Sequence, residues 1–535
     1  ELTEEEAAAV AKKISNEVVA VAFLHAYRYP AHELLMAKVL KESGLEDVSL
    51  SHVLSNVIKI YPRTQTALVN AYLSPIINAY LGSIRESLDQ AGADQERRLR
   101  LMTSAGGLVD AGFFHPKDSL LSGPAGGVVG AASIAADLGY SKVLSFDMGG
   151  TSTDTARYDG SMDYDFITRI GGIGMSSPTV AIETVAAGGG SVCSFDGFKL
   201  KVGPESAGAN PGPACYGAGG PLTITDINLL MGKLDGAEMG IPVDLSAAEQ
   251  ALEELRQSIL NQSGVAFDKK ELLQGFEQIA NEKMAEAIRG ISVKKGFDPR
   301  TYTLLAFGGA GGLHACAVAD LLEIDEVIVP YDAGLLSAYG IGHARVERMA
   351  GYQVLESWNA FRPRLDSIRT ALEAQVFEQL TAEGCDRDAL AIDKVSLFLR
   401  LKGQEYALEV PWQNDLALIP EKFESAYKKL FGYFPENRDL EVESIKVIGY
   451  YQPPRFSRTF ARCASYDPEP FKKCFAPVVG KEIPVYRWDD LMCGAKINGP
   501  AILLNPTSTV YVDVTWELNI QENQHAVMTN MMQKH

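Results

Sequence analysis

An apolar run, Val143-Leu144-Ser145-Phe146, leads into Asp147, the glycines Gly149 and Gly150, the hydroxyl residues Thr151, Ser152 and Thr153, and a second carboxylate, Asp154. A strand ending in such a turn can present backbone N–H groups and hydroxyls to phosphate oxygens, with the glycines allowing close approach. Asp147 and Asp154 then suit Mg²⁺, which takes oxygen ligands and keeps part of its water shell. Thr155, Ala156 and Tyr158 read as a returning strand, which makes the motif a hairpin. The alternative is an ordinary glycine hairpin that Asp147 merely caps.

A second chemistry-bearing stretch lies downstream. A helix-like segment over 270–295 precedes an apolar strand over 302–307, and this runs into Gly308, Gly309, Gly311 and Gly312 ahead of a helix starting near Leu313 and His314. Strand, glycine loop and helix N-terminus form a natural seat for an anion or for adenine and ribose. His314 reads two ways, as a contact to substrate or phosphate or as a packed histidine at a helix start. The chain contains no G-x-x-x-x-G-K-[ST] P-loop and no G-x-G-x-x-G dinucleotide fingerprint,.

The elements that must hold these loops are legible in outline. Residues 3–90 alternate helices and strands: a helix with an acidic start, an apolar strand over 18–24, a helix after Pro30, a strand near 48–50, and a long helix over 66–89 containing Pro75,. A strand over 99–103 then meets Gly106 and Gly107. The stretch 121–346 is rich in glycine and reads as tight turns around a ligand,. Beyond 356, an amphipathic helix over 365–384 and β-rich segments at 395–401 and 501–504 suggest a separate α+β domain. At 535 residues two to four domains are expected,. The divisions read as 1–120, 121–350 and 351–535.

Composition excludes several classes. The 46% hydrophobic and 22% charged residues are those of a globular protein,. No apolar run approaches the roughly 18 to 20 residues that cross a bilayer. The acidic opening lacks the pattern of a secretory signal, which points to the cytoplasm,. A net charge of −19 without a basic stripe argues against nucleic acid,. The seven scattered cysteines form no C-x-x-C pair, so reduced thiols are expected rather than a disulfide framework or structural zinc,.

The hairpin resembles a phosphate motif of the actin, sugar-kinase and heat-shock chaperone ATPases, which implies an α/β, actin-like (ribonuclease H-like) nucleotide-binding fold. With Leu-Ser-Gly-Pro-Ala-Gly-Gly-Val-Val-Gly at 121–130, Thr-Val-Ala-Ala-Gly-Gly-Gly-Ser at 184–191, the blocks at 202–217 and 223–228, and Phe-Gly-Gly-Ala-Gly-Gly-Leu-His-Ala at 307–315, it is similar to the ordered signature of the hydantoinase A/5-oxoprolinase family. The closing block at 497–504 is similar too. The resemblance implies ATP and Mg²⁺ as cofactors, with Gly149, Gly150, Thr151, Ser152 and Thr153 on phosphate, Asp147 and Asp154 on metal, and Gly308, Gly309, Gly311 and Gly312 on adenosine. Glu205 is a substrate-side candidate, to orient a ring N–H or a metal. Cys215 is either a nucleophile or a small buried residue, and Asp226 and Asn228 line the same cleft or start a helix.

The resemblance implies ATP-dependent opening of a cyclic amide such as 5-oxoproline or a hydantoin, by phosphorylation of the amide oxygen, completed with a B-type subunit in an oligomeric assembly. Family members usually open with a further D-x-G-G-T loop ahead of the 18–24 strand, so this chain is expected to be a fragment or a member without that half-domain. Two other readings stand beside this one: a ketone-activating subunit of an acetone or acetophenone carboxylase, and a non-enzymatic actin-like ATP switch.

Overall fold

The structure is a computed structural model that describes residues 2–14, 18–90, 99–435, 438–451 and 463–532. It divides into two compact units, each assembled from separated stretches: 1–125, 164–180 and 344–455 in the first, and 126–163, 181–343 and 456–535 in the second. A contiguous carboxy-terminal domain over 351–535 is therefore not what forms. The strand Val346–Ser357 pairs with Leu108–Asp110 in the first unit, whereas Ala526–Asn530 pairs with Glu326–Val329 in the second.

In the first unit the strand Val18–Val21 lies parallel to Asp47–Leu50, joined through the helix Ala31–Glu42. Thr3 and Glu6 form a capping box that starts the helix Glu4–Ala11,. The long helix begins at Ile60, earlier than sequence suggests, and runs through Pro75 to Gln90. Its buried Arg63 donates to Ser51 Oγ and to the carbonyls of Phe23, Leu24 and Val57, while Glu33 accepts from Ser51 Oγ and the amides of Phe23 and His52. This bonded network lets two charged side chains lie inside. The unit also holds a six-stranded sheet, ordered Leu408–Pro411, Leu390–Leu401, Leu440–Tyr451, Val346–Ser357, Leu108–Asp110 and Arg100–Met102. The helix Leu365–Ala382 packs against it.

The second unit is built on an eight-stranded mixed sheet in the order Ile182–Val185, Thr153–Asp159, Lys142–Met148, Thr303–Phe307, Glu326–Val329, Ala526–Asn530, Trp516–Ile520 and Lys496–Asn498. Lys142–Met148 is antiparallel to Thr153–Asp159 and parallel to Thr303–Phe307. Every residue of Thr303–Phe307 is buried, as expected of a central strand covered on both faces,. The helix Gly311–Leu321 supplies part of that cover, and Lys269–Ile291 packs on the neighbouring strands Thr153–Asp159 and Ile182–Val185.

Two sequence expectations are corrected here. The glycine-rich block after Leu121 is the helix Ser122–Asp137 rather than a turn. Its glycines are packing residues: a Cβ on Gly126 would lie 2.8 Å from Ser337 O, and one on Gly130 would lie 2.7 Å from Leu336 O. A Cβ on Gly340, in the facing helix Leu336–His343, would overlap Gly126 O. Small residues let the two backbones touch. The second correction concerns thiols: Cys463 and Cys493 are joined by a disulfide, with Cα atoms 5.8 Å apart. Tyr466 N donates to Gly494 O and Lys496 N to Tyr466 O, which aligns the two segments. A separation of 30 residues carries no sequence signal of that pairing. The other five cysteines form no disulfide among the described residues.

The helix contact gives a sharp stability prediction. Gly340→Ala should lose about 2 kcal/mol or more by overpacking, whereas Gly342→Ala in the same helix, where a Cβ meets nothing within 4 Å, should stay within about 0.5 kcal/mol of the parent. Denaturant unfolding of the two variants checks this, and equal midpoints would remove the close-packing account.

Candidate active site

The turn between Lys142–Met148 and Thr153–Asp159 pairs Asp147 directly with Asp154 across the hairpin. No hydrogen bond or ion pair within the described residues engages the Asp147 carboxylate, and Asp154 accepts one bond, from Thr184 Oγ1 at 2.6 Å. Burial, followed by the charge of Asp154, pushes the Asp147 carboxyl up to about 7. Burial likewise raises Asp154, against the lowering effect of the Thr184 bond. Two partly buried carboxylates thus face each other with no protein cation bonded to either.

At the tip, Gly149 N donates to Ser152 O. No acceptor among the described residues takes the amides of Gly150, Thr151 or Ser152, or the hydroxyls of Thr151 and Ser152. Thr153 differs from its neighbours: its hydroxyl is buried and donates to Ala187 O at 2.5 Å. It closes the hairpin base, leaving Thr151 and Ser152 as the free hydroxyls.

A glycine triplet braces this tip from behind. Gly189 N donates to Gly149 O at 3.0 Å and Gly190 N to Gly150 O at 2.7 Å. A Cβ on Gly188 would lie 2.7 Å from Thr151 N, so the two loops lie back to back. The brace is tied in turn to Thr225, whose amide and hydroxyl both donate to Gly189 O. The triplet and Thr184 had no assigned site role in the sequence. Three consecutive glycines starting four residues after Thr184 were the available signal.

The second glycine loop meets the hairpin because Phe307 is in register with Asp147. Gly308 has φ +80°, and a Cβ there would strike Met148 O and lie 2.5 Å from Asp147 Oδ1. Ala310 N donates to Met148 O at 3.1 Å. Gly309 faces open space, whereas a Cβ on Gly312 would lie 2.7 Å from Thr509 O, which makes Gly312 a packing residue. The helix Gly311–Leu321 starts here without a side-chain cap, and no acceptor among the described residues takes the amides of Gly309, Gly311 or Gly312. His314 is fully buried, with Nδ1 2.7 Å from Asn281 Oδ1 and Nε2 3.0 Å from Asn228 Nδ2. Burial, then the charge of Lys233, lowers it to about 3. This is the packed-histidine alternative: a neutral ring with both nitrogens engaged.

The remaining candidates separate similarly. Glu205 is exposed on the strand Leu200–Ser206, next to Ser206, whose Oγ lies 3.1 Å from the Cβ position of Gly190. It borders the brace without a bond to the aspartate pair. Cys215 is buried, and burial pushes its thiol well above the usual range, the reverse of an activated nucleophile,. Asp226 accepts from the amides of Thr223, Ala214 and Cys215 and from Thr223 Oγ1, capping the helix Ile224–Met231 and fixing the Cys215 turn. Among the described residues no group of three or more His, Cys, Asp or Glu side chains is placed to hold a metal. No helix among them is long and apolar enough to cross a membrane.

Residues 63–350, more than half of the chain, match the family model described as Hydantoinase/oxoprolinase. The chain belongs to the hydantoinase/oxoprolinase family. It is 35% identical over 536 aligned positions to a 5-oxoprolinase of Dictyostelium discoideum, covering 94% of this chain and 42% of that protein. It is 31% identical to the caprolactamase subunit alpha of Pseudomonas jessenii, covering 94% of this chain and 75% of the subunit. The crystal structure of the ATP-dependent caprolactamase from that organism superposes with a TM-score of 0.85 at 27% identity, over 99% of this chain and 80% of its own. A nucleotide-free acetone carboxylase matches with a TM-score of 0.73 at 22% identity, over 99% of this chain and 79% of its own, a likeness of fold alone. The chain thus spans about two-fifths of the 5-oxoprolinase it matches. The family match contains the hairpin, its glycine brace and the Gly308 loop.

The raised carboxyl of Asp147 gives a pH prediction with a definite sign. A carboxyl whose pKa rises on folding favours the folded state below its unfolded value, near 4, and this contribution is lost as pH climbs through about 7,. Asp147→Asn should therefore raise the melting temperature at pH 8 and leave it nearly unchanged at pH 4. Equal shifts at the two pH values would contradict the desolvated carboxyl.

Proposed function

We propose that the second unit handles ATP in the opening of a cyclic amide, with the hairpin at 147–154 as its phosphate site and the loop at 308–312 as its adenosine side. The supporting observation is the convergence in one unit of free amides at Gly150, Thr151 and Ser152, two free hydroxyls, and a glycine loop held in register beside Asp147. The strand order, an antiparallel three-strand meander followed by two parallel strands reached through helices, supports an actin-like reading of this unit. It also accounts for the hairpin form of the phosphate loop.

Asp147 and Asp154 fit Mg²⁺, since they are a facing carboxylate pair with no protein cation bonded to them, and a hard divalent ion takes oxygen ligands and completes its shell with water and phosphate. When bound, the metal supplies charge neutralisation on the phosphoryl oxygens. The chain's own contributions are positional. The braced amides and the Thr151 and Ser152 hydroxyls bind phosphate oxygens, and Thr184 fixes the orientation of Asp154. A lactam or hydantoin carbonyl is a poor electrophile. Attack of its oxygen on the γ-phosphorus expels ADP and leaves an imidate phosphate. Water then adds at the imidate carbon and the ring C–N bond breaks to leave an acyl phosphate, which a second water hydrolyses, so that lactam, ATP and two waters give the open amino acid, ADP and phosphate. Orientation and charge stabilisation carry the first step, and it uses no protein nucleophile. This agrees with the inert setting of Cys215. We assign the hydrolytic half to a B-type subunit or fused region.

Calorimetric titration of the chain with Mg-ATP tests the site. A Thr151→Ala/Ser152→Ala double variant should bind about 10- to 100-fold more weakly, from loss of two solvent-accessible hydrogen bonds at about 0.7 to 1.4 kcal/mol each, and Asp147→Ala should lose the magnesium dependence. Unchanged binding in both would remove the site. With the partner subunit added, 5-oxoproline or a hydantoin should stimulate ADP release. Stimulation by acetone alone would instead make the chain a ketone-activating subunit, and nucleotide binding with no stimulation by any of them would leave a switch.

A further inference from the structure

Three helices of the second unit each support a different part of the candidate site. The helix Gly311–Leu321 begins inside the glycine loop at 308–312. The helix Ile224–Met231 opens beside Thr225, whose amide and hydroxyl donate to Gly189 O, while Gly189 N donates to Gly149 O at the hairpin tip. The helix Lys269–Ile291 packs on the strands Thr153–Asp159 and Ile182–Val185, which carry Asp154 and Thr184. His314, in the first of these helices, bonds to Asn228 in the second and to Asn281 in the third.

The direction of this bridge is fixed. Asn281 Oδ1, 2.7 Å from His314 Nδ1, can only accept, so Nδ1 carries the proton,. Nε2 is then the acceptor, and Asn228 Nδ2 donates to it at 3.0 Å. Burial first, and the charge of Lys233 second, hold the ring neutral. All three residues are buried, and Asn228 Oδ1 has no hydrogen-bond partner among the described residues. Three buried polar groups with one acceptor left over are a poor way to stabilise a core, since apolar side chains of similar volume would carry no such cost. What the bridge adds is alignment, because its bonds are satisfied in one arrangement of the three helices.

We infer that His314 is a positioning residue that holds the glycine loop at 308–312 and the brace at 188–190 in one frame, so that a nucleotide meets both together. Both ring nitrogens are engaged, so His314 acts on a ligand only through Asn228 and Asn281. The inference rests on the nucleotide reading of these loops given above. Its consequence is a split between ligands. Mg-ATP spans both loops and needs the frame, whereas adenosine uses the glycine loop alone.

The test compares Asn228→Leu, which cuts the bridge on the brace side, with Asn530→Ala, which removes a bond to Asp320 Oδ1 in the last turn of the same helix. Asn228→Ser makes the same cut with a smaller side chain should the leucine variant not fold. Asn228→Leu should bind Mg-ATP about 10-fold more weakly and adenosine within about 2-fold of the parent, because one loop is misplaced against the other. Amide hydrogen exchange at Gly189 and Gly190 in the ligand-free chain should quicken by about 10-fold, and Asn530→Ala should change none of these readings. His314→Gln, whose side-chain oxygen can accept from Asn228 Nδ2, should bind Mg-ATP within about 3-fold of the parent, and His314→Ala should not. The inference is overturned if Asn228→Leu weakens both ligands alike or neither, if exchange at Gly189 and Gly190 keeps the parent rate, or if Asn530→Ala reproduces the split. A parent that binds no Mg-ATP removes the nucleotide reading instead, and the exchange rates then decide the bridge alone.

Discussion

The candidate site depends on the parallel pairing of Lys142–Met148 with Thr303–Phe307, which sets Phe307 beside Asp147. From that register follow the approach of Gly308 to the Asp147 carboxylate and the bond from Ala310 N to Met148 O. Because side chains alternate along a strand, a slip of one residue would exchange every inward and outward position. Phe146, Met148, Ala306 and Phe307 are all buried, so such a slip would set each against the packing of the opposite face. Hydrophobic register thus fixes polar geometry. The two loops lie some 160 residues apart in sequence, and the buried strands bring them together.

Glycines make the tight approaches that the register demands. At Gly308 a positive φ and a neighbouring carboxylate both exclude a side chain, and at Gly188 the obstacle is the backbone of the 149–152 turn itself. Gly126 and Gly340 serve a different end, letting two helices touch. The same residue type therefore marks a candidate ligand loop in one place and helix packing in another. Reading every glycine cluster as a turn failed at residues 122–130 for this reason: these glycines are needed for what lies opposite them, and their own backbone is helical.

What sequence disclosed, and what it hid, follows from the range of the interactions. The hairpin at 147–154, the strand before Gly308 and helices such as Lys269–Ile291 and Leu365–Ala382 were legible because local periodicity and turn chemistry determine them,. The arrangement into units was not, because strands such as Ala526–Asn530 and Val346–Ser357 find partners far away in sequence. Thr153 looked like its hydroxyl neighbours until Ala187 O was placed against it. His314 kept two readings open until Asn228 and Asn281 took both ring nitrogens. The disulfide was hidden in the same way, since the pairing of Tyr466 with Gly494 and Lys496 is tertiary.

The polar groups of the second unit therefore fall into two sets, and the functional reading rests on the difference between them. Asp226, Thr153, His314 and Asn281 are buried and bonded, and removing any of them would leave a partner unsatisfied in a dry interior, a loss of about 1 to 3 kcal/mol each,. Asp147, Thr151, Ser152 and the amides of Gly150, Gly309 and Gly311 form no such bonds within the described chain, although the strands and loops that carry them are rigidly held. A fold that fixes donors in place without giving them acceptors keeps them ready for an external anion, because the reorganisation that binding would otherwise require is already complete. On the proposed reading, the facing carboxylates would take a cation beside these donors. Donors for an anion next to such a pair are what a metal-bound polyphosphate requires, and an uncharged ligand would leave both unanswered.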